Sequence, residues 1–141
     1  MSGPRLLLRS GAAHDLEAVN AIQAACPEAA QWMVRDYLAY DCLVAVWEGR
    51  IAGFAVVRAL ADEESELLNL AVGPEFRRLG IGQALLFECA RRHPGVLWLE
   101  VRESNDRGRK FYERMGFTSS GQRPDYYSNS AEAAIVMKFH S

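Results

Sequence analysis

The sequence lacks any apolar run long enough to cross a bilayer, and its first ten residues, MSGPRLLLRS, hold only three consecutive leucines, too few for the core of a signal peptide. A soluble, unprocessed chain is expected. Cysteine is scarce and ill-placed for pairing: Cys26, Cys42 and Cys89 are odd in number and show no C-x-x-C spacing, which argues against a disulfide framework and a zinc knuckle and points to a reducing cytoplasm. An excess of one charge is missing too. Sixteen basic residues against eighteen acidic ones leave a formal net charge of −2, so no general field gathers a nucleic-acid backbone, and a small or basic partner fits better than nucleic acid or a membrane. His14, His93 and His140 show no metal-ligand spacing, so no metal is expected, and His93 reads as a helix-end cation. Internal repeats, low-complexity stretches and linkers are also absent.

What is there suits one globular domain spanning residues 1–141. Half the residues are apolar and 24% are charged. The chain is long enough to bury a real core, but too short for a cofactor domain plus a separate substrate domain. Any site must therefore be built into one layered structure.

Arg5 to Arg9 reads as a first strand. In GAAHDLEAVNAIQAAC, residues Leu16, Val19, Ile22 and Gln23 follow helical spacing, with Asp15 in the first turn and Pro27 as the stop. A second helix is expected in EAAQWMVRDYLAY, where Met33 and Tyr37 stand four apart. CLVAVWEGRIAGFAVVRAL then gives two β-rich runs joined at Glu48-Gly49-Arg50, a hairpin signal. The acidic cluster Asp62, Glu63, Glu64 and Glu66 separates this hairpin from the strand ELLNLAV. A helix follows, ended by Arg91, Arg92, His93, Pro94 and Gly95. Next come the strand VLWLEVR, the helix NDRGRKFYERMG closed by Gly116, and two strands in FTSSGQ and AAIVMKFH. The order predicts an α/β (α+β) fold, helices covering a central mixed, mostly antiparallel sheet.

In PEFRRLGIGQALLFECARR, residues 74–92, two glycines one residue apart stand behind two arginines at the mouth of a helix. A helix N-terminus carries unpartnered N–H groups and positive potential, so anion binding is one reading and a simple helix-opening turn is the other. A phosphate-loop NTPase is excluded, since no lysine followed by a hydroxyl residue stands near Gly80 or Gly82. The dinucleotide fingerprint G-x-G-x-x-G is a closer rival, because Glu100 ends the next strand where a ribose-binding acid would stand. Two details oppose it. Leu85 occupies the third glycine position, and seven residues, 73–79, separate the strand from Gly80.

Arg77, Arg78, Leu79, Gly80, Ile81 and Gly82 instead meet the pattern [QR]-x-x-G-x-[GA], and here the chain resembles the GCN5-related N-acetyltransferase family. LLNLAVGPEFRRLGIGQALL, LWLEVRESN and KFYERMGF, in that order, are similar to its branch of bacterial ribosomal-protein-alanine N-acetyltransferases, clearly from about residue 60 to residue 138 and loosely before Cys42. The resemblance implies acetyl-CoA as cosubstrate, its pyrophosphate held by the turn residues Arg77, Arg78, Leu79, Gly80, Ile81 and Gly82, with Gln83 behind them. It implies that Leu70, Ala71 and Val72 pair with the pantetheine arm like another strand while nearby N–H groups polarise the thioester carbonyl.

Acetyl transfer to an amine needs a neutral amine, a polarised carbonyl and a proton for the departing thiolate. In VLWLEVR the side chains alternate, so Glu100 shares a face with Trp98 and Arg102, away from Leu97, Leu99 and Val101. By itself Glu100 reads as a solvated strand residue; the resemblance reverses that reading and implies a general base. Asn105, Gly108 and Tyr112 lie along one helix face, beside a Phe111–Met115 stripe suited to the core. Gly108 reads either as a place of close approach or as a tolerated surface glycine. The resemblance implies that Asn105 contacts the cofactor and that Tyr112 protonates the thiolate; an amphipathic core tyrosine is the plainer alternative.

A protein α-amino group, with a reference pKa near 7.7 to 8.0, is neutral at pH 7 to about a tenth, and a lysine only to the order of one in a thousand. A lone glutamate base therefore suits an N-terminal amine, of the alanine type on a ribosomal or other protein. ADEESE, including Glu64, could receive a basic peptide terminus or be merely a solvated loop. Tyr126 and Tyr127 in RPDYY resemble a tyrosine-bearing segment beside the branch's substrate groove, or fill cross-strand positions. The branch's PW step near the start of the second helix is missing here, and Trp32 stands several residues later. A small-molecule amine acetyltransferase and a silent acyl-CoA sensor remain as alternatives. The sensor would need neither Glu100 nor Tyr112.

Overall fold

The computed structural model describes residues 5–127 and 132–140, with the backbone alone from 123 to 127. The two hairpin turns of its centre follow from local chemistry. Strand β2, Asp41–Trp47, turns into β3, Arg50–Ala61, through Glu48 (φ 47°) and Gly49 (φ 84°), a two-residue loop whose left-handed pair matches strand twist. β3 then turns at Asp62 and Glu63 into β4, Glu64–Val72, so the acidic stretch is a tight turn, and the fourth strand begins two residues earlier than its apolar run suggests.

Around them, β1 (Leu6–Ser10), β5 (Val96–Arg102), β6 (Thr118–Tyr127) and β7 (Glu132–His140) complete one seven-stranded sheet in the order β1-β2-β3-β4-β5-β7-β6. All neighbours are antiparallel except β4 and β5. The expected mixed, mostly antiparallel sheet is thus the observed one. No helix among the described residues is long and apolar enough to cross a membrane.

Helices cover both faces, which is why β2 and β3 are buried almost without alternation. Helix α1, Leu16–Ala25, puts Val19 and Ile22 against Val44, Phe54 and Val56 on one face. Its start is anchored by Asp15, which accepts from Ala12 N (2.8 Å) and from both terminal nitrogens of Arg9 (2.8 and 2.9 Å). Helix α2, Ile81–Arg92, buries Ile81, Leu85, Leu86 and Cys89 against Leu43, Ala55 and Leu97 on the other. A fully buried Leu85 contributes about 2 kcal/mol of transfer free energy. Arg92 and His93 at its end both bond Asp41 at the start of β2 (3.0 and 2.7 Å), in keeping with the helix-end role expected of His93.

Helix α3, Asp106–Arg114, ends as its sequence predicts. Gly116 takes φ 100°, and Phe117 N returns to Tyr112 O at 2.9 Å. The second helix expected after Pro27 does not form. Only Val34–Ala39 is helical, as a 3₁₀ stretch with Tyr37 as its one buried residue. Before it the backbone is held by side chains: Gln31 Nε2 donates to the carbonyls of Gln23, Cys26 and Ala29, each at 3.1 Å. Carbonyls satisfied in this way have no need of an i to i+4 ladder.

Candidate functional site

The site begins where the sheet comes apart. β4 and β5 pair in parallel only from Glu64–Leu67 against Val96–Leu99. There β4 carries a bulge, for Asn69 faces Val56 and Leu67 faces Val57, leaving Leu68 as the extra residue. Beyond it the strands diverge around a cleft of about 930 Å³, lined by residues 67–72 of β4 and 99–102 of β5.

The register decides which backbone groups face this cleft. Gly73 N donates to Ala52 O at 2.8 Å, so by the two-residue alternation of an antiparallel ladder Ala71 also directs its N–H and C=O to β3. Leu70 and Val72 direct theirs into the gap. Leu70 N already donates to Asn69 Oδ1 (3.0 Å) and Val72 O accepts from Cys26 Sγ (3.4 Å), so of the three residues expected to serve the cofactor arm Leu70 leaves its C=O and Val72 its N–H at the edge, while Ala71 lines the cleft without offering either.

Behind β4, a 3₁₀ turn at Pro74–Phe76 buries Phe76 under the Arg50 guanidinium (4.9 Å), and the glycine turn follows. Arg78 (φ 66°) and Gly80 (φ 77°) are both left-handed, bending the chain sharply into α2. The first helical bond is Ala84 N to Gly80 O at 3.0 Å, so the N–H groups of Ile81, Gly82 and Gln83 belong to the unpartnered first turn. All three residues line the cleft, as do Arg77, Arg78 and Gly80; Leu79 does not and is 43% exposed. Arg102, Arg107 and Arg114 add cationic side chains that the sequence reading did not single out. Arg77 also bonds Glu28 at 3.0 Å. An open helix start in one cleft with five arginines, of which Arg77 and Arg102 pair with Glu28 and Glu132, is fitted to a polyanion. No cluster of ligands for a metal ion occurs among the described residues.

Glu100 and Tyr112 line this same cleft from two elements. β5 buries Leu97, Leu99 and Val101 in the α2 core and so turns Glu100 to the opposite face, as its alternation predicts. Tyr112 packs edge-on to Phe111 (5.2 Å) and Phe117 (5.5 Å), and burial pushes its phenol above the ordinary value, so it holds its proton at neutral pH. Asn105 caps α3, its Oδ1 accepting from Gly108 N at 2.9 Å. A Cβ on Gly108 would meet the Asn105 carboxamide at 2.5 Å. The close approach suspected at this glycine is therefore made by the asparagine on its own helix.

The remaining expected residues are not gathered here. Glu64 lies at the far end of β4, where it accepts from Trp98 Nε1 at 3.1 Å, and it does not line the cleft. The side chains of Tyr126 and Tyr127 lie outside the described residues. The wall opposite α3 comes from the irregular segment, with Cys26, Glu28, Ala29 and Ala30 lining the cleft. Burial raises the Cys26 thiol, and more strongly those of Cys42, to about 11, and Cys89, to about 12. Two buried polar residues hold this wall: Gln23, which the sequence reading placed on the apolar helix face without a polar role, and Asn69, which it passed over. Their signal was an asparagine inside an apolar strand run, a residue type depleted in strands.

The Acetyltransferase (GNAT) family model matches residues 13–117. A ribosomal protein bS18-alanine N-acetyltransferase of Escherichia coli (strain K12) is 40% identical over 95 residues, 63% of this chain and 64% of that protein, so the match spans under two thirds of the relative's length. The crystal structure of the ribosomal-protein-S18-alanine N-acetyltransferase from Escherichia coli superposes with a TM-score of 0.79 at 31% identity, covering 95% of this chain and 92% of that one. Ard1 from Thermoplasma volcanium gives a TM-score of 0.84 at 26% identity, covering 96% and 97%. With the matched segment holding the bulged β4, the left-handed turn, α2, β5 and α3, the chain belongs to the acetyltransferase (GNAT) family.

Proposed function

We propose that this chain is an acetyl-CoA-dependent N-acetyltransferase that acetylates the N-terminal α-amine of a protein, of the alanine type and on a ribosomal protein, in the cytoplasm. One observation carries the reading: an open strand edge, an open helix start, Glu100 and Tyr112 all face a single cleft. Acetyl-CoA would supply the acetyl group as a thioester. The N–H groups of Ile81, Gly82 and Gln83, with the neighbouring arginines, would hold its pyrophosphate. The cleft edge at Leu70 and Val72 would receive the pantetheine arm by strand-like pairing.

Glu100 would take a proton from the substrate ammonium, directly or through a water, leaving a nucleophilic lone pair. As the C–N bond forms, the edge N–H of Val72, the one not spent on Asn69, would stabilise the charge on the carbonyl oxygen. As the C–S bond breaks, Tyr112 would give its proton to the thiolate, and the second proton that the nitrogen sheds on becoming an amide would pass through water to restore the phenol; the Asn105 cap holds the start of α3 beside it. The name of the Escherichia coli relative supports an alanine α-amine as acceptor, and the lower pKa of such an amine suits a single carboxylate base.

The test is mass spectrometry of two peptides incubated with the protein and acetyl-CoA, one beginning with a free alanine before basic residues, the other N-terminally blocked with an internal lysine. Acetylation of the free terminus alone is expected. If acetyl-CoA binds but neither peptide reacts, the protein-terminus reading gives way to small amines or to a sensor.

A further inference from the structure

Asn69 occupies the bulge at which β4 leaves β5, and its carboxamide is spent on two regions at once. Its Oδ1 accepts from Leu70 N at 3.0 Å, one of the two backbone N–H groups that the register turns into the cleft. Its Nδ2 donates to Ala30 O (2.9 Å) and lies within hydrogen-bond distance of Tyr37 Oη (3.0 Å) and Gln23 Oε1 (3.1 Å). The Tyr37 hydroxyl donates to Gln23 Oε1, and Gln23 Nε2 donates to Trp32 O at 2.7 Å. Asn69, Gln23 and Tyr37 are all buried.

Backbone groups at both ends fix the orientation of this network. Reversing the Asn69 amide would set an oxygen against Ala30 O and an N–H against Leu70 N, two repulsive contacts in a buried place. Ala29 and Ala30 line the cleft, and their segment has no helical ladder of its own. Its position is therefore given by these side chains.

Resting on the transfer reading above, we propose that Asn69 is a positioning residue for acyl transfer: one carboxamide ties the cleft edge at Leu70 to the wall at Ala30 and so sets where the amine acceptor sits relative to the donor strand. Asn69→Asp keeps the acceptor for Leu70 N but turns an oxygen toward the wall. It should raise KM for the acceptor peptide about tenfold while the acetyl-CoA dissociation constant changes less than about twofold, a split that a general loss of packing would not give. Hydrogen exchange should quicken in residues 27–36 and not in β3 or the first half of β4.

Tyr37→Phe keeps the ring that packs on Phe54 (5.7 Å) and should show the same split at about threefold, which keeps the test open if the aspartate variant fails to fold. An unchanged acceptor KM, or acetyl-CoA affinity lost in proportion, overturns the proposal. If the wild-type protein acetylates no peptide, the transfer reading falls by itself. Exchange in residues 27–36, measured with acetyl-CoA bound, then decides for Asn69 if it quickens and against it if it does not.

Discussion

On the side of the cleft proposed for the donor, from Leu70 through the first turn of α2, the groups turned into the cleft include backbone N–H and C=O, placed by strand register and by two left-handed residues. On the acceptor side, residues 26–33, the backbone runs irregularly and is held by three side-chain amides. Along β4 the first arrangement asks only for side chains that keep the register, and at Gly80 for a residue that takes a left-handed backbone. The second should fail with a single atom exchange at Asn69. A donor site built from backbone can be shared by many proteins of one fold, while on the proposed reading acceptor choice would rest on a few polar residues that pack at long range.

Glu100→Gln tests the chemistry between the two sides and should have the largest effect. Turnover should fall about a hundredfold or more, while acetyl-CoA affinity by calorimetry stays unchanged; equal loss of both would remove Glu100 from the role of base. Tyr112→Phe keeps the ring contacts with Phe111 and Phe117 and should lower kcat about ten- to a hundredfold with little change in Tm.

On the donor side, Gly80→Ala meets no atom within 4 Å, so its cost is backbone strain at φ 77° alone. That is about 1–2 kcal/mol, read as a lower Tm where the turn keeps its shape, and, where the free turn relaxes and acetyl-CoA must restore it, as up to about a five- to thirtyfold higher acetyl-CoA dissociation constant with acceptor KM little altered. A drop in acceptor KM performance instead would blur the division between the two sides.

The smallest expected effect lies outside the cleft, at the start of α1. Arg9 holds the Asp15 carboxyl at about 2, below its ordinary 3.8. A lowered folded-state value means that the pair's contribution is complete above about pH 4 and is lost as pH falls through about 2. With Arg9 partly exposed, about 1–2 kcal/mol is at stake. Denaturant midpoints should therefore separate wild type from Asp15→Asn at pH 6 and converge near pH 2.

The legible parts of the molecule were those fixed by neighbours in the chain. Glu48 and Gly49 announce their hairpin, the alternation of β5 turns Glu100 from the core, and the glycine turn opens α2 where its pattern says. The second helix was misread because Met33 and Tyr37 stand at helical spacing, yet only Tyr37 is buried and the carbonyls before it find side-chain donors. The bulge at Leu68 has one local signal, Asn69 beside it, a residue type depleted in strands, but the letters do not fix which residue is the extra one. Asn69 draws its partners from residues 23, 30 and 37, and no window along the chain brings those together. Glu64 looked like an acceptor ligand because its charge is visible in the letters, whereas its place at the far end of β4 is set by pairing with β5.

The three thiols have a practical corollary. All are buried and each is pushed above its ordinary ionisation range, so at neutral pH very little of the protein's own sulfur is thiolate. A disulfide reagent that colours on meeting a free thiolate should leave the folded protein nearly untouched and respond to released coenzyme A. Turnover can then be followed continuously in a cuvette, with every cysteine left in its natural place.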